Sequence, residues 1–354
     1  MGRYVLKRLV LMLPTLFVIL LINFVIVQIA PGGPVEQAIL QAQQFQIEPN
    51  HPHTNMDDAQ HYQGAQGLSP EMLAQLKAQY GFDQPMDVRF WQMLKRYAQL
   101  DLGESFFKGK AVSQLIWEKL PVTLSLGGWS LLLIYLIAIP LGIYKAKRHG
   151  SLFDRTTSLL LAMAYAVPSL LFGVLLLTLF AGGNYWHWFP LQGLTSENIQ
   201  HLSFVGKIKD YFWHLTLPVL TLTLGGFASL TYLTQASFIE EMHKTYVLAA
   251  RAKGLSETQV WIGHIFRNAI LVVLASLPET IVGVFFAGTL FVEILFNLDG
   301  IALLGFEAVS ERDYPIIFGI LLLYTLLGLI LRLVGDMLYH WIDPRITFDL
   351  ERAP

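Results

Sequence analysis

The chain contains no cysteine. A disulfide framework, a zinc site with thiolate ligands and a thiol nucleophile are therefore excluded. Charged residues are also scarce, at 14% of the 354 residues, whereas ordinary soluble domains contain about a quarter. The net charge of −2 gives no reason to expect nucleic acid as a partner. A hydrophobic fraction of 54% instead favours a membrane protein.

Several catalytic motifs are missing as well. The chain has no Walker A loop, no H-E-x-x-H metalloprotease motif and no G-x-S-x-G serine motif. The sequence LVGD at residues 333–336 lacks the first glycine of the membrane aspartyl proteases, and no second aspartate in a matching context is evident. An aspartyl dyad needs two carboxylates close enough to share a proton. These absences argue against an enzyme.

Six long apolar runs dominate the sequence. A bilayer core of about 30 Å needs about 20 helical residues, and runs of this length occupy residues 9–30, 121–144, 157–181, 215–238, 269–294 and 315–339. The first run is longer than the apolar part of a typical signal peptide, and no convincing A-x-A site follows it. We therefore predict an all-α integral membrane protein with six transmembrane helices, the first of them retained.

Basic residues predict the orientation of these helices. Each of the segments 1–8, 145–156, 239–268 and 340–354 holds at least two Lys or Arg residues, whereas the short loops 182–214 and 295–314 together hold three. By the positive-inside rule the first group is cytoplasmic, and both termini lie on that side.

The segment 31–119 would then lie outside the cytoplasm. Its first half is polar and aperiodic, which favours a mobile loop, although a metal site at its histidines and aspartates is an alternative (His51, His53, Asp57, Asp58 and His61). Its second half predicts a small helical cap, with helices starting at Ser69, over residues 86–100 and over 111–120. Further along, Tyr185, Trp186 and Trp188 favour an interfacial aromatic belt, with a ligand contact as the alternative.

Four ionisable residues interrupt the last two runs, and such residues are functional candidates. Glu279 lies about ten residues into the fifth run and would line a substrate path or make a structural hydrogen bond. Glu293 lies at the outer end of that run, where we expect water to reach it, and it is the second candidate for a residue that lines the translocation path. Arg332 and Asp336 are spaced i, i+4 in the sixth run, which predicts a self-neutralising ion pair.

The polar interval between the fourth and fifth runs contains the sequence AARAKGL, residues 249–255. Its alanines predict a helix that another surface approaches closely, and Gly254 predicts its end. The two cations, Arg251 and Lys253, suit acidic groups on a protein or the headgroups of anionic lipid.

This interval resembles a known family. YVLAARAKGLSETQVWIGHIFRNAI, residues 246–270, is similar to the cytoplasmic signature of the permeases of binding-protein-dependent ABC importers, in particular the dipeptide and oligopeptide branch. Seven further short sequences along the chain resemble sequences of the family and occur in the same order. They are APGGP, YGFDQP, DLGESF, LPVTLSL, IPLGIYKA, RDYP and DMLYHWIDPRI. Within the branch the chain is most similar to the first permease subunit of importers for oligopeptides and microcin C.

The resemblance implies a type I ABC importer permease in the bacterial inner membrane. Residues 1–30 would form the N-terminus and first span, 31–119 the periplasmic loop and cap, and 120–354 the permease core with a cytoplasmic coupling loop at 239–268. The loop would dock on an ATPase through the residues that match the signature (Tyr246, Ala249, Ala250, Arg251, Ala252, Lys253, Gly254 and Leu255).

The resemblance also implies the partners. These are a second homologous permease, two ATP-binding-cassette domains that hold ATP and Mg²⁺, a periplasmic peptide-binding protein and membrane lipid. The chain itself would hold no cofactor and would form a path that opens alternately to the two sides. A permease for dipeptides or nickel is an alternative, as is a membrane enzyme or channel built on the same six spans.

Overall fold

The computed structural model describes residues 2–30, 32–36, 78, 81–181, 185–287 and 289–342. The described residues form helices and contain no strand beyond an isolated bridge between Glu104 and Ala111. The helices are α1 (Gly2–Ile29), α2 (Met86–Ala98), α3 (Val112–Lys147), α4 (Leu152–Ala166), α5 (Ser169–Phe180), α6 (Phe204–Met242), α7 (Thr245–Ala252), α8 (the helical run Glu257–Leu295), α9 (Ile301–Glu311) and α10 (Tyr314–Ile342).

Among the described residues, α1, α3, α6, α8 and α10 are each long and apolar enough to cross a membrane. The third predicted run differs from the others, because it forms two helices, α4 and α5, that meet at an angle of 93°. Pro168 causes the break, since a proline disfavours helical geometry in the preceding residue, and Val167 is extended. Counting the bent pair as one span gives the six predicted spans.

Helix α6 begins earlier than the fourth apolar run predicts. It starts at Phe204, where the Ser203 hydroxyl accepts a hydrogen bond from the backbone N–H of Gly206. The added turns contain Asp210, a charge that the search for apolar runs excludes. Its carboxylate is satisfied inside the protein by the backbone N–H of Ser196 at 2.8 Å and by the hydroxyl of the same residue. The predicted loop 182–214 is therefore shorter than expected.

The run α8 is not a uniform α-helix. It contains wide π-helical turns at Trp261–Phe266 and at Gly283–Ala287, and the α-helical pieces Arg267–Ala275 and Leu277–Val282 are separated by Ser276. Pro278, in the first turn of the second piece, accounts for the interruption, because it cannot donate a backbone hydrogen bond.

The chain divides into two compact units. One consists of the described residues of Leu9–Glu118 and Leu304–Leu326. Its core is aromatic: the Phe24 ring stacks on Phe318 with centroids 5.8 Å apart, and Phe90 lies 5.2 Å from Phe24. The predicted cap helices over 86–100 and at the start of the second span are confirmed as α2 and the start of α3. The predicted helix at Ser69 and the histidine-rich stretch lie outside the described residues.

Asp313 joins two of the family-like sequences in this unit, DLGESF and RDYP. Its carboxylate accepts hydrogen bonds from the Ser105 hydroxyl at 2.6 Å and from the backbone N–H of Phe106 at 3.1 Å. Asp313 is fully buried, so these donors replace water around it.

The other unit comprises the described residues of Met1–Arg8, Lys119–Leu303 and Leu327–Pro354. Apolar clusters lie along its helices. One joins α3, α5, α6 and α8 around Leu126, Leu177 and Phe296, and another joins α3, α6 and α8 around Ile134 and Leu230. A third cluster lies under α7 and positions the candidate site.

Candidate functional site

Helix α7 presents two different faces. Val247 and Ala250 point into the unit and are buried, whereas Leu248, Ala249 and Ala252 are exposed, Leu248 by 57%. These positions follow the helical repeat, in which residues three apart share a face. The sequence predicted the same role, close approach of another surface, for all three alanines. In the structure Ala250 packs internally, whereas Ala249 and Ala252 are accessible.

The inward face of α7 rests on an apolar cluster centred on Phe238. The ring of Phe238 is fully buried and stacks on Trp261 with centroids 6.2 Å apart. The cluster takes residues from α3, α6, α7 and α8 (Ala146, Phe238, Val247, Ala250, Val260, Ile265 and Ala269). Three helices, α3, α6 and α8, therefore form one packed base beneath α7, a helix of only eight residues that would be unstable alone.

Tyr246 links α7 to both neighbouring helices. Its hydroxyl donates a hydrogen bond to the Glu241 carboxylate of α6 and accepts one from the Asn268 amide of α8, at 2.7 Å. Burial, together with Glu241, raises the pKa of Tyr246 to about 12. The phenol therefore stays protonated at physiological pH and keeps both bonds. Tyr246 and Asn268 lie near opposite ends of the signature sequence, and the structure joins them by a hydrogen bond.

The end of α7 follows the prediction. Gly254 has φ = +82°, and no other group lies near the position of a Cβ there, so the requirement for glycine is conformational. Directly afterwards, Ser256 and Gln259 form a capping box that starts α8. The chain thus turns between two helices within a few residues, which holds the exposed Lys253 and Leu255 at the edge of the outward face.

Arg251 has a partner within the chain. Its guanidinium donates two hydrogen bonds to the Glu257 carboxylate, at 2.9 and 3.2 Å. Both side chains reach solvent, so the pair contributes little to stability. The pair orients Arg251 toward the start of α8. This contact within the chain was not predicted, because Arg251 was expected to meet an acidic partner protein or lipid headgroups.

The predicted ion pair between Arg332 and Asp336 is wrong. Asp336 instead lies 3.1 Å from the Arg8 guanidinium and accepts a hydrogen bond from the Tyr4 hydroxyl at 2.8 Å. Side chains on a helix lean toward its N-terminus, so a base that precedes an acid by four residues reaches away from it. Arg332 is exposed, and α1 supplies the cation.

The structure also corrects the expectation for Glu293. This residue has no exposed surface, so water does not reach it. Its carboxylate accepts a hydrogen bond of 2.7 Å from the backbone N–H of Leu303 in the first turn of α9, a favourable place for an anion. A side chain at Gly300 would overlap that carboxylate. Glu293 therefore fixes the start of α9 rather than lining an open path.

Glu279 has the opposite environment. It lies in Leu277–Val282, within the fifth candidate span, and its side chain is exposed on the surface of the chain. A carboxylate facing lipid is costly, so this part of α8 needs a polar neighbour from outside the chain or a water-filled cavity.

A buried ion pair that no sequence pattern predicted lies beside the base. The Lys145 ammonium group has no exposed surface and lies 2.8 Å from the Asp154 carboxylate, 3.0 Å from the Thr157 hydroxyl and 2.7 Å from the Ser158 hydroxyl. The Gln235 amide donates to the same carboxylate at 2.8 Å. Gln235, a polar residue within an apolar run, was the available signal, but no pattern of short range identifies its partner.

The sequence of residues 138–348 identifies the family. A model described as "Binding-protein-dependent transport system inner membrane component" matches residues 138–348, which is more than half of the chain and includes α7 and its base. The chain belongs to this family. It is a multi-pass permease subunit of an ABC transporter of the inner membrane, and ATP hydrolysis belongs to separate subunits.

Named relatives match the permease over nearly its whole length. The "Peptidoglycan transport system permease protein YejB" of Agrobacterium fabrum (strain C58 / ATCC 33970) is 49% identical and covers 99% of each chain. The "Inner membrane ABC transporter permease protein YejB" of Escherichia coli O157:H7 is 47% identical, over 99% of this chain and 100% of the relative. The "Oligopeptide transport system permease protein AppB" of Bacillus subtilis (strain 168) is 31% identical, over 98% and 100%.

A solved chain of the MetNI methionine ABC transporter is also similar, with a TM-score of 0.47 and 14% identity, over 65% of this chain and 97% of that chain.

Proposed function

We propose that the permease imports peptides and that the outward face of α7 is its docking surface for an ATP-binding subunit. The observation that carries this proposal is the combination of a small, exposed, apolar face with a fixed base. Ala249 and Ala252 allow a partner to approach the backbone closely, and Leu248 offers it an apolar contact. A surface built only for lipid headgroups would need cations rather than alanines on this face.

The base suits the transmission of a movement. The Ser237 hydroxyl of α6 donates to the backbone carbonyl of Ala269 in α8, at 2.8 Å, and Tyr246 links α7 to both helices. A displacement of α7 therefore displaces α6 and α8 together, because packed interiors transmit strain. Closure of two ATP-binding subunits on ATP and Mg²⁺ would shift the permease between states open to opposite sides.

The assembly that we propose contains this permease, a second homologous permease, two ATP-binding domains and a periplasmic peptide-binding protein. We propose an orientation with α7 and both termini in the cytoplasm, which the basic residues of the adjacent segments support. Peptide cargo is supported by the names of the relatives, which refer to oligopeptides and to peptidoglycan, a polymer that carries short peptides. Microcin C-like conjugates fit the same cargo class.

A substitution on the outward face tests the docking surface. Ala252→Trp should greatly reduce co-purification of the ATP-binding subunits, because the indole blocks close approach, while the melting temperature of the permease stays unchanged. Thr156→Trp, at an exposed position of α4, is the matched control and should retain the subunits. Full co-purification with Ala252→Trp would refute docking at this face.

We also propose that Glu279 faces the translocation path between the two permeases, since its exposed carboxylate needs water or a polar partner at this depth. Because the chain has no cysteine, Glu279→Cys gives a single reactive site. In the assembled transporter it should react with a charged, membrane-impermeant thiol reagent, whereas Leu13→Cys, exposed in the apolar run of α1, should not. An unreactive Cys at position 279 in both the resting and the ATP-bound transporter would argue against the path.

A further inference from the structure

The turn that joins α3 to α4 has a surface of one charge sign. Between residues 121 and 181 the sequence contains one acidic residue, Asp154, and four Lys or Arg residues. Asp154 is buried and lies 2.8 Å from the Lys145 ammonium group, so this pair neutralises itself inside the protein. The other cations are exposed, and none forms an ion pair with a carboxylate among the described residues (Lys147, Arg148 and Arg155). The outer surface of the turn is therefore cationic.

One of these cations shares an exposed face of α4 with apolar side chains. Four exposed residues recur along this face at intervals of three or four residues (Leu152, Arg155, Leu159 and Met163). The opposite face carries the buried Asp154. Helix α4 is the first part of the bent pair that counts as the third span. The face that presents Arg155 is thus continuous with an apolar surface that enters the membrane.

A second cation, Arg148, is held beside the same end of α4. Its guanidinium lies over the ring of Tyr144, 4.7 Å from the centroid, and that ring packs edge-on against Phe153 of α4 with centroids 4.9 Å apart. Stacking on an aromatic ring fixes the plane of a guanidinium and leaves the N–H donors at its edge free for the oxygens of a phosphate. The aromatic pair therefore positions Arg148 at the first turn of α4, close to which Arg155 also lies.

Phospholipid matches both the apolar and the cationic part of this surface. Leu159 lies four residues beyond Arg155, about 6 Å along a helix, so a lipid whose acyl chains cover Leu159 has its phosphate within reach of the long Arg155 side chain. A protein partner would have to bring carboxylates to a surface that continues into the hydrocarbon core, where they are costly. Because no exposed acid balances the cations, a headgroup with a net negative charge fits better than a zwitterionic one.

We propose that the turn between α3 and α4 binds an anionic phospholipid. The phosphate and the headgroup contact Arg148 and Arg155, and the acyl chains lie along the exposed face of α4 that contains Leu159. The burial of Asp154 against Lys145 keeps the one carboxylate of this segment away from the headgroup. The site does not depend on the docking of an ATP-binding subunit at α7.

The test uses the absence of cysteine. Leu159→Cys, at a position that is 64% exposed, is labelled with a fluorophore and reconstituted with its co-purifying subunits into phosphatidylcholine vesicles; the unsubstituted chain measures labelling of those subunits. Quenching by phosphatidylglycerol that carries a nitroxide on its acyl chain is compared with quenching by phosphatidylcholine that carries the same nitroxide, at equal mole fractions and low ionic strength. Leu171→Cys is the matched control, because this position is 60% exposed and lies in α5, which has no charged residue.

At position 159 phosphatidylglycerol should quench more strongly than phosphatidylcholine, by about fivefold or more, since a single cation near an anionic surface contributes about 1 kcal/mol. At position 171 the two lipids should quench equally. Arg148→Gln combined with Arg155→Gln should abolish the preference at position 159. Lys207→Gln combined with Lys209→Gln, which removes two exposed cations of α6, should leave that preference unchanged.

Equal quenching by the two lipids at position 159 would overturn the proposal, and so would a preference that survives the loss of both arginines. Weak quenching by both lipids would place a protein on this face of α4 and would overturn it as well. If Leu159→Cys does not accumulate, Met163→Cys takes its place, since Met163 is exposed one turn further along the same face.

Discussion

Ala249 and Ala250 are neighbours with the same side chain, yet they belong to different parts of the molecule. Ala250 packs in the base formed by α3, α6 and α8, whereas Ala249 faces outward. The base is apolar, closely packed and tied by hydrogen bonds through Tyr246, whereas Leu248, Ala249 and Ala252 are exposed among the described residues. The two faces of α7 therefore differ in role: the inward face holds the helix in place, and the outward face is accessible to a partner.

The largest effect on the base should come from Lys145→Met. This change leaves the Asp154 carboxylate buried without its cation, which costs about 3–5 kcal/mol, and the level of folded permease and its melting temperature should fall sharply. Lys147→Met is the matched control, because Lys147 is exposed and lies 4.4 Å from the centroid of the Trp261 ring; its loss should cost about 1 kcal/mol or less. Equal stability of the two variants would show that the base does not depend on this ion pair.

The same substitution at two adjacent alanines tests the difference between the inward and outward faces of α7 directly. Ala250→Leu should destabilise the permease by about 1–3 kcal/mol, since Ala250 is buried in a packed cluster and added methylene groups would displace its neighbours. Ala249→Leu should leave stability within about 0.5 kcal/mol but weaken the retention of ATP-binding subunits. Thermal unfolding in detergent and co-purification measure the two effects. If both variants lose stability to the same extent, the two faces are not distinct.

Tyr246→Phe should cost about 1–2 kcal/mol, because the Asn268 amide and the Glu241 carboxylate both lose a partner. The contribution of the hydroxyl should also depend on pH in a defined direction. The folded-state pKa of about 12 lies above the ordinary value of 10.0, so the stability it provides is complete below pH 10 and falls as pH rises through 12. Melting temperatures of the two proteins should therefore converge at high pH, and a constant difference would contradict this.

The smallest effect should come from Arg251→Gln. The pair with Glu257 is exposed and worth about 1 kcal/mol or less, so stability should barely change. A double-mutant cycle with Glu257→Gln measures the coupling between the two residues. A coupling energy well above about 1 kcal/mol would mean that this exposed edge contributes to the rigidity of the base.

Patterns with short range in the sequence were predictable. The positive φ of Gly254, the end of α7 and the helices of residues 86–98 and 112–120 follow from glycine conformation and helical periodicity. The bend between α4 and α5 was not predicted, although Pro168 was visible, because prolines are also tolerated inside spans such as α3 and α6. Whether a proline breaks a span depends on what packs around it.

Contacts between distant residues were not predictable. Spacing within one helix suggested that Arg332 pairs with Asp336, but the cation came from Arg8, more than three hundred residues away in sequence. Likewise, the burial of Glu293 depends on Gly300 and on the start of α9, neither of which an apolar run reveals.

The sequence by itself determined the class of this protein, since apolar runs of about 20 residues indicate membrane-spanning helices, and its coupling signature was recognisable from residue types and order. The tertiary structure decided which face of α7 is open, which donors stabilise each buried carboxylate and which glutamate is exposed within the membrane. These properties depend on the elements packed around a residue, so the order of residues along the chain could not establish them.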